Sequence, residues 1–170
     1  MKDKTYPYTE ALQIARDILE QLRPHCDRII IAGSLRRECL QVGDIEIVAI
    51  PKPYETGLFE SGLASVVNQW PKVKGEMEYG VTKYTQRILP SGIKLDLFFA
   101  EPGNWGTILA IRTGSAEFSH KVLACGWVKL GYESKGGYLY RDGKYRATPE
   151  EIDLFNIINI PFVEPKNRNL

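Results

Sequence analysis

The sequence predicts an α+β fold in which helices pack on a mixed β-sheet, followed by a small C-terminal α/β lobe. Three observations carry this expectation. A helical pattern over Thr9–Leu22 gives way at once to strand patterns at 28–32 and 44–51. A turn at Pro90-Ser91-Gly92 joins two further strand-like segments, and beyond Pro102-Gly103 helical patterns dominate until a last hairpin signal. With 170 residues, 44% hydrophobic and 25% charged, the chain supports one ordinary core arranged as two lobes, expected over 1–102 and 103–170.

Each element has its own reason. Leu12, Ile14, Ala15, Ile18, Leu19 and Leu22 recur at helical spacing until Pro24 stops them. Arg28-Ile29-Ile30-Ile31-Ala32 is short and β-branched, a buried strand that ends at Gly33-Ser34. Asp44 to Pro51 is a second strand whose alternation puts Asp44 and Glu46 on one face and Ile45 and Ile47 on the other. Leu58 to Trp70 reads as a helix, and 72–77 and 83–89 read as strands. The turn at 90–92 then leads into a strand where Lys94, Asp96 and Phe98 share a face. Trp105–Arg112 and Ala116–Lys129 are two helices parted by Thr113-Gly114, with Ser115 as N-cap and Glu117 in the first turn of the second. Arg141-Asp142-Gly143-Lys144 marks a hairpin turn, and Thr148-Pro149-Glu150-Glu151 opens a final short helix.

Bulk properties exclude several classes. No stretch approaches the ~18 apolar residues of a membrane helix, and the first residues lack the apolar core of a signal peptide, so a soluble, intracellular (cytoplasmic) protein without a membrane partner is expected. Cys26, Cys39 and Cys125 are far apart with no C-x-x-C spacing, which points to core fillers or free thiols rather than disulfides or zinc. The net charge of +1 does not discriminate, because a local basic face can bind nucleic acid on a neutral protein. Basic residues gather at Arg36-Arg37, at Lys72, Lys74, Lys83 and Arg87, and at Lys166 and Arg168.

The constellation with chemical content is Gly33-Ser34, then Asp44-Ile45-Glu46, then Asp96. Two acids at i and i+2 of one strand and a third from a neighbouring strand can converge, and hard divalent ions take such oxygen ligands. A pair of ions roughly 3.5–4 Å apart would activate a hydroxyl and stabilise a leaving phosphate. A lone D-x-E is more often the solvent face of a half-exposed sheet. Here, however, glycine and serine at the preceding strand end offer close backbone approach and a hydroxyl donor, and Arg36-Arg37 offer cations for a triphosphate.

Gly33-Ser34-Leu35-Arg36-Arg37 followed by Gly43-Asp44-Ile45-Glu46 resembles the signature G-S-[FLIY]-R-R-G-x(4)-G-D-[IVM]-D of family X DNA polymerases, the DNA polymerase β-like nucleotidyltransferases. Thr113-Gly114-Ser115-Ala116-Glu117-Phe118 is similar to the T-G-S-x-x-F that opens that family's nucleotide-selecting helix. Ile160-Pro161-Phe162 through Arg168 is similar to its closing [LI]-P-[YF]-x-x-P-x-x-R. The resemblance implies a nucleotidyltransferase palm over 1–102 and a thumb-like, nucleotide-selecting lobe over 103–170, without an N-terminal lyase or DNA-clamping domain, as in the shortest viral members.

It further implies an enzyme that adds deoxynucleotides from dNTPs to a DNA 3′-hydroxyl on a primer–template or gapped substrate, in short gap filling or DNA repair, as a monomer using two Mg²⁺ ions that Mn²⁺ can replace. Asp44 and Glu46 would bind both metals, and Asp96 would bind the catalytic one and help deprotonate the primer hydroxyl. Gly33, Ser34, Arg37 and Gly43 would hold the triphosphate, and Thr113 and Gly114 would border sugar and base across a cis Gly114-Ser115 peptide. Lys94 would lie near the primer terminus, although neutralising Asp96 is an equally open role, and Thr113-Gly114 is also readable as a plain interhelical turn.

Four positions depart from the family pattern. Glu46 replaces aspartate, Glu38 replaces glycine, and Ile111-Arg112 replace an aromatic pair. Ser119-His120 stand where an asparagine often touches the base, which makes Ser119 the nucleotide-side and His120 the DNA-side candidate. Two rival readings use the same residues: a nucleotidyltransferase with RNA or protein as acceptor, and a nucleic-acid or nucleotide binding module without chemistry.

Overall fold

The computed structural model describes residues 4–53, 62–75, 77 and 84–170. It is a mixed α+β protein whose chain divides into two compact units, one of residues 1–35 and 39–99, the other of Arg36–Glu38 and 100–170. No helix among the described residues is long and apolar enough to cross a membrane.

The first unit opens with strand β1 (Tyr6–Pro7) and helix α1 (Tyr8–Leu22), then β2 (Cys26–Ile31), α2 (Gly33–Arg36, whose last residue belongs to the second unit), β3 (Gln41–Val42) and β4 (Asp44–Pro51). Helix α3 (Leu63–Val67) and strands β5 (Lys72–Lys74), β6 (Tyr84–Ile88) and β7 (Lys94–Phe99) complete it. The described part of the expected 58–70 helix is thus shorter than its pattern, and 58–61 lie outside the described residues, as does Lys83. Five strands form one sheet in the order β2-β4-β7-β6-β5. Only β4 and β7 run parallel, so the sheet is mixed.

One face of this sheet is apolar. Ile45 and Ile47 of β4 and Leu95 and Leu97 of β7 are fully buried with Ala11, Ala15, Ile18 and Leu22 of α1 and with Leu63 and Val67 of α3. Burying each large aliphatic side chain stabilises the fold by roughly 1.5–3 kcal/mol, and a one-residue slip would bring charged residues of the other face into their place. The register is therefore fixed by burial, and the opposite face of β4 and β7 is left to Asp44, Glu46, Lys94 and Asp96. Buried Cys26 belongs to the same core, where burial pushes its thiol up to about 12.

In the second unit, α4 (Trp105–Thr113) is followed by a helical run of α5 (Ala116–Phe118), a wider π-helical stretch at Ser119–Ala124, and α6 (Cys125–Lys129). The single helix expected over 116–129 is thus one path with a widened middle. Ser115 caps it as anticipated, its hydroxyl accepting from the Phe118 amide. A three-stranded antiparallel meander follows, of β8 (Glu133–Lys135), β9 (Tyr138–Arg141) and β10 (Lys144–Arg146), ordered β10-β9-β8. Asp142 and Gly143, both at positive φ, form the two-residue turn between β9 and β10. Helix α7 (Glu151–Ile157) begins with a reciprocal cap between Glu150 and Asp153. Its Leu154 and Phe155 join Phe118, Leu123, Trp127 and Leu139 in this unit's core.

Candidate active site

The acidic face is built by register. In the parallel pair β4–β7, Asp44 lies opposite Lys94 and Glu46 opposite Asp96, and in the antiparallel pair β6–β7 Gln86 lies opposite Asp96. Residues 44 and 96, far apart in sequence, therefore meet on one face. They lie close enough that the Asp96 carboxylate acts on Asp44. Burial, and then the neighbouring Asp96 carboxylate, raise the Asp44 carboxyl above its ordinary range, while Lys94 partly offsets them.

Asp96 is only 8% exposed, and the Tyr84 hydroxyl and the Gln86 amide both donate to its Oδ1, at 2.6 and 2.7 Å. Tyr84 in turn stacks on Phe98, ring centroids 4.9 Å apart, so the donor is held by packing. Neither residue was anticipated from the sequence. Their signal was available in the hairpin register, because alternate β6 residues counted back from the 90–92 turn fall opposite Asp96 and Phe98.

Glu46 takes a different direction. Gly33, at φ +60°, closes β2 into α2, and a Cβ built on it would come within 1.8 Å of Glu46 Oε2. The Glu46 carboxylate thus lies against the Gly33 backbone, where no other residue leaves it room. The backbone lock is continued by Ala32, whose amide donates to the Glu46 carbonyl at 2.8 Å. Among the described residues, no three His, Cys, Asp or Glu side chains converge as a ready metal cage. The Glu46 carboxylate lies instead at the glycine turn. As a donor set, the Asp44 and Asp96 carboxyls are oxygen ligands of the kind a hard divalent cation takes.

Beside these acids, Ser34 is half-buried and its carbonyl accepts from the Cys39 amide, closing the loop that follows the glycine turn. Gly43 is exposed, and a Cβ there would meet nothing within 4 Å. Lys94 is exposed next to Asp44.

The arginines of the first motif belong to the second unit. Arg36 grips Glu151 with two bonds, Nη1 to Oε1 at 2.9 Å and Nη2 to Oε2 at 2.5 Å, and its Nη1 also donates to the Thr113 hydroxyl at 2.6 Å. On the other side, Arg168 Nη1 donates to Glu151 Oε1 at 2.8 Å. Glu151 is thus a buried anion between two guanidiniums. Burial pushes its carboxyl up, but the hydrogen bonds and charges of Arg36 and Arg168 outweigh burial and hold it below the usual carboxylate range. Arg37 donates from Nη1 to the Thr113 carbonyl at 2.5 Å and from Nε to Asn169 Oδ1 at 2.8 Å.

The T-G-S turn is where these contacts meet. Gly114 at φ +68° ends α4, and a Cβ there would lie 3.0 Å from Arg37 Nη1. The Gly114–Ser115 peptide is cis, and the Ser115 amide donates to the Arg168 carbonyl at 3.0 Å. Residues of all three motifs thus share one hydrogen-bonded cluster within this unit. Ser119 turns its hydroxyl to the Ile111 carbonyl at 2.9 Å, whereas His120 is exposed.

Two of the basic residues that gather in the sequence are not surface cations. Arg168 is fully buried, with the rings of Phe118, Phe155 and Phe162 around its guanidinium at 5.1–5.7 Å. Arg87 is also buried, donating to Thr85, to the Trp70 carbonyl and to Asn68. These arginines satisfy internal acceptors, a role that charge counting cannot separate from a solvated cation. Lys72, Lys74 and Lys166 are exposed.

Neither the models of known protein families nor the curated proteins yield a match to this chain.

Proposed function

We propose that this chain is a nucleotidyltransferase of the family X DNA polymerase kind, which transfers a deoxynucleotide from a dNTP to a DNA 3′-hydroxyl. The observation that carries the reading is that Asp44 and Asp96 share one sheet face on adjacent strands, with Glu46 opposite Asp96 and against the Gly33 turn. Carboxylates packed this closely repel one another, and a site that retains them is suited to a positively charged occupant. Asp44, Asp96 and a rotated Glu46 would hold divalent cations, which when bound supply charge stabilisation at the phosphate and an acidified hydroxyl.

The chain's own groups have separable tasks in this reading. Tyr84 and Gln86 hold Asp96 in one orientation through Oδ1, which keeps the carboxylate aimed for proton removal from a primer hydroxyl. The Gly33 turn allows a phosphate to approach the backbone, and Ser34 adds a hydroxyl donor there. Arg37, Thr113 and Gly114 are the residues assigned to the nucleotide in the second unit, and Ser119 and His120 to its base and the DNA. The reading includes a soluble, monomeric protein acting on gapped or primed DNA.

The test is primer extension on a one-nucleotide gap with Mg²⁺ or Mn²⁺, comparing the native chain with Asp44→Asn and Asp96→Asn, each verified as folded by circular dichroism. Extension by the native chain and its loss in both variants is expected. Transfer only to RNA or protein, no transfer at all, or equal extension by the variants would each overturn the proposal.

A further inference from the structure

Arg36 and Arg37 are neighbours in the chain but differ in what they bond. Arg36 is neutralised by the buried Glu151 carboxylate, which it grips through both terminal nitrogens. Arg37 bonds neutral acceptors: its Nη1 donates to the Thr113 carbonyl at 2.5 Å and its Nε to Asn169 Oδ1 at 2.8 Å. A carbonyl and an amide oxygen satisfy N–H groups without cancelling charge. The half-buried Arg37 therefore keeps a cation for which an anion is the stronger partner.

The two acceptors, both within the second unit, are unlike in kind. Thr113 is fully buried at the end of α4, and its carbonyl is fixed backbone. Asn169 is an exposed side chain on an anchored backbone. Arg168 before it is fully buried, and the Arg168 carbonyl accepts from the Ser115 amide at 3.0 Å. The Asn169 amide nitrogen donates to the Lys166 carbonyl of the 3₁₀ turn Pro165–Asn167 at 3.3 Å, which leaves its oxygen for the guanidinium. Rotation about the Asn169 side-chain bonds uncovers Arg37 Nε without any backbone movement. A guanidinium takes a phosphate bidentately, through two N–H groups along one edge, and the edge that includes Nε is the one Asn169 covers.

We propose that Asn169 is a gate on Arg37: its amide oxygen holds the place of a phosphate oxygen at Nε, and an incoming triphosphate displaces it. The gate rests on the reading of Arg37 as a ligand of the nucleotide, and it adds a residue that works against binding. A side chain that only oriented Arg37 would act in the opposite direction, because its loss would weaken binding.

The test is calorimetric titration of the full chain with inorganic tripolyphosphate and with dATP, in Mg²⁺ and without DNA. Asn169→Ala removes the competitor and should tighten both ligands roughly two- to ten-fold, the effect of one hydrogen bond. Asn169→Asp keeps the size but puts a carboxylate on Nε, and should weaken both about five-fold, a loss that shrinks in high salt. Arg37→Ala should weaken both ligands, and on that background Asn169→Ala should change nothing further. Binding by Asn169→Ala no tighter than by the native chain, while Arg37→Ala still weakens it, would overturn the gate and leave the nucleotide reading standing. Tightening that persists on the Arg37→Ala background would do the same. Arg37→Ala binding as the native chain does, or a native chain that binds neither ligand, would overturn the nucleotide reading of Arg37 and the gate with it. A circular dichroism spectrum matching the native chain guards each variant.

Discussion

Replacing Glu151 by glutamine removes one negative charge and keeps the size of the side chain. Glu151 is 7% exposed and accepts three charge-assisted hydrogen bonds, two from Arg36 and one from Arg168, which itself is 0% exposed. Taken singly, such bonds contribute about 1.5–3 kcal/mol each, but bonds that share one carboxylate are not additive. Breaking a buried pair by removing one partner typically costs about 3–5 kcal/mol, because the remaining charge is left uncompensated. Glutamine still offers one carbonyl oxygen, and its amide must face a guanidinium, so the lower end, about 3 kcal/mol, is expected. Against the roughly 5–15 kcal/mol of a typical domain, the variant stays folded but marginal.

Urea unfolding at several pH values reads this out. Because Arg36 and Arg168 hold the Glu151 carboxyl below its unfolded value of about 4.3, the folded state binds this proton less tightly than the unfolded one. The stabilisation is complete above that unfolded value and is lost as the pH falls through the folded one. The gap between native chain and Glu151→Gln should therefore be widest at neutral pH and close in acid. A gap below about 1 kcal/mol at pH 7, or one that widens on acidification, would refute the ion-cluster reasoning.

The remaining predictions concern the first unit. Asp44 carries a carboxyl raised by burial and by Asp96, so the metal-free fold loses stability as the pH rises from about 3.9 through the raised value, and Asp44→Asn should melt above the native chain at pH 7 and alongside it near pH 3. A lower melting temperature for the variant at pH 7 in EDTA would contradict this. Gly33→Ala puts a Cβ 1.8 Å from Glu46 Oε2 at a backbone φ of +60° and should destabilise the chain by roughly 1–3 kcal/mol in urea unfolding; wild-type stability would show that the turn relaxes freely. Glu46→Asp should retain Mn²⁺ binding by calorimetry, whereas Glu46→Gln should weaken it roughly ten-fold or more for loss of a charged oxygen ligand. Equal affinities for the native chain and Glu46→Gln would leave Glu46 as a partner of the glycine turn alone.

What the sequence determined by itself is what neighbouring residues impose on one another. Of the helical pattern over Thr9–Leu22, Ala15, Ile18 and Leu22 are buried with Ala11 while Leu12, Ile14 and Leu19 lie at the margin, and the alternation from Asp44 to Pro51 puts Ile45 and Ile47 inward. Pro90-Ser91-Gly92, Asp142-Gly143 and the Ser115 cap act over two to four residues, and each appears where its local chemistry demands. The alternation also separated the acids from the core, so the candidate face was legible before any fold was known.

Only the tertiary structure decided where those groups point and what they touch. Arg36 and Arg37 adjoin the glycine turn in sequence, yet they bond Glu151, Thr113 and Asn169. Arg87 and Arg168 look like surface cations when charges are merely counted and are interior ones in space. Glu46 shares a face with Asp96, but its carboxylate lies against Gly33, where the absent Cβ leaves it room. Each of these residues has a partner more than ten residues away, where strand pairing and burial, rather than local preference, bring the groups together.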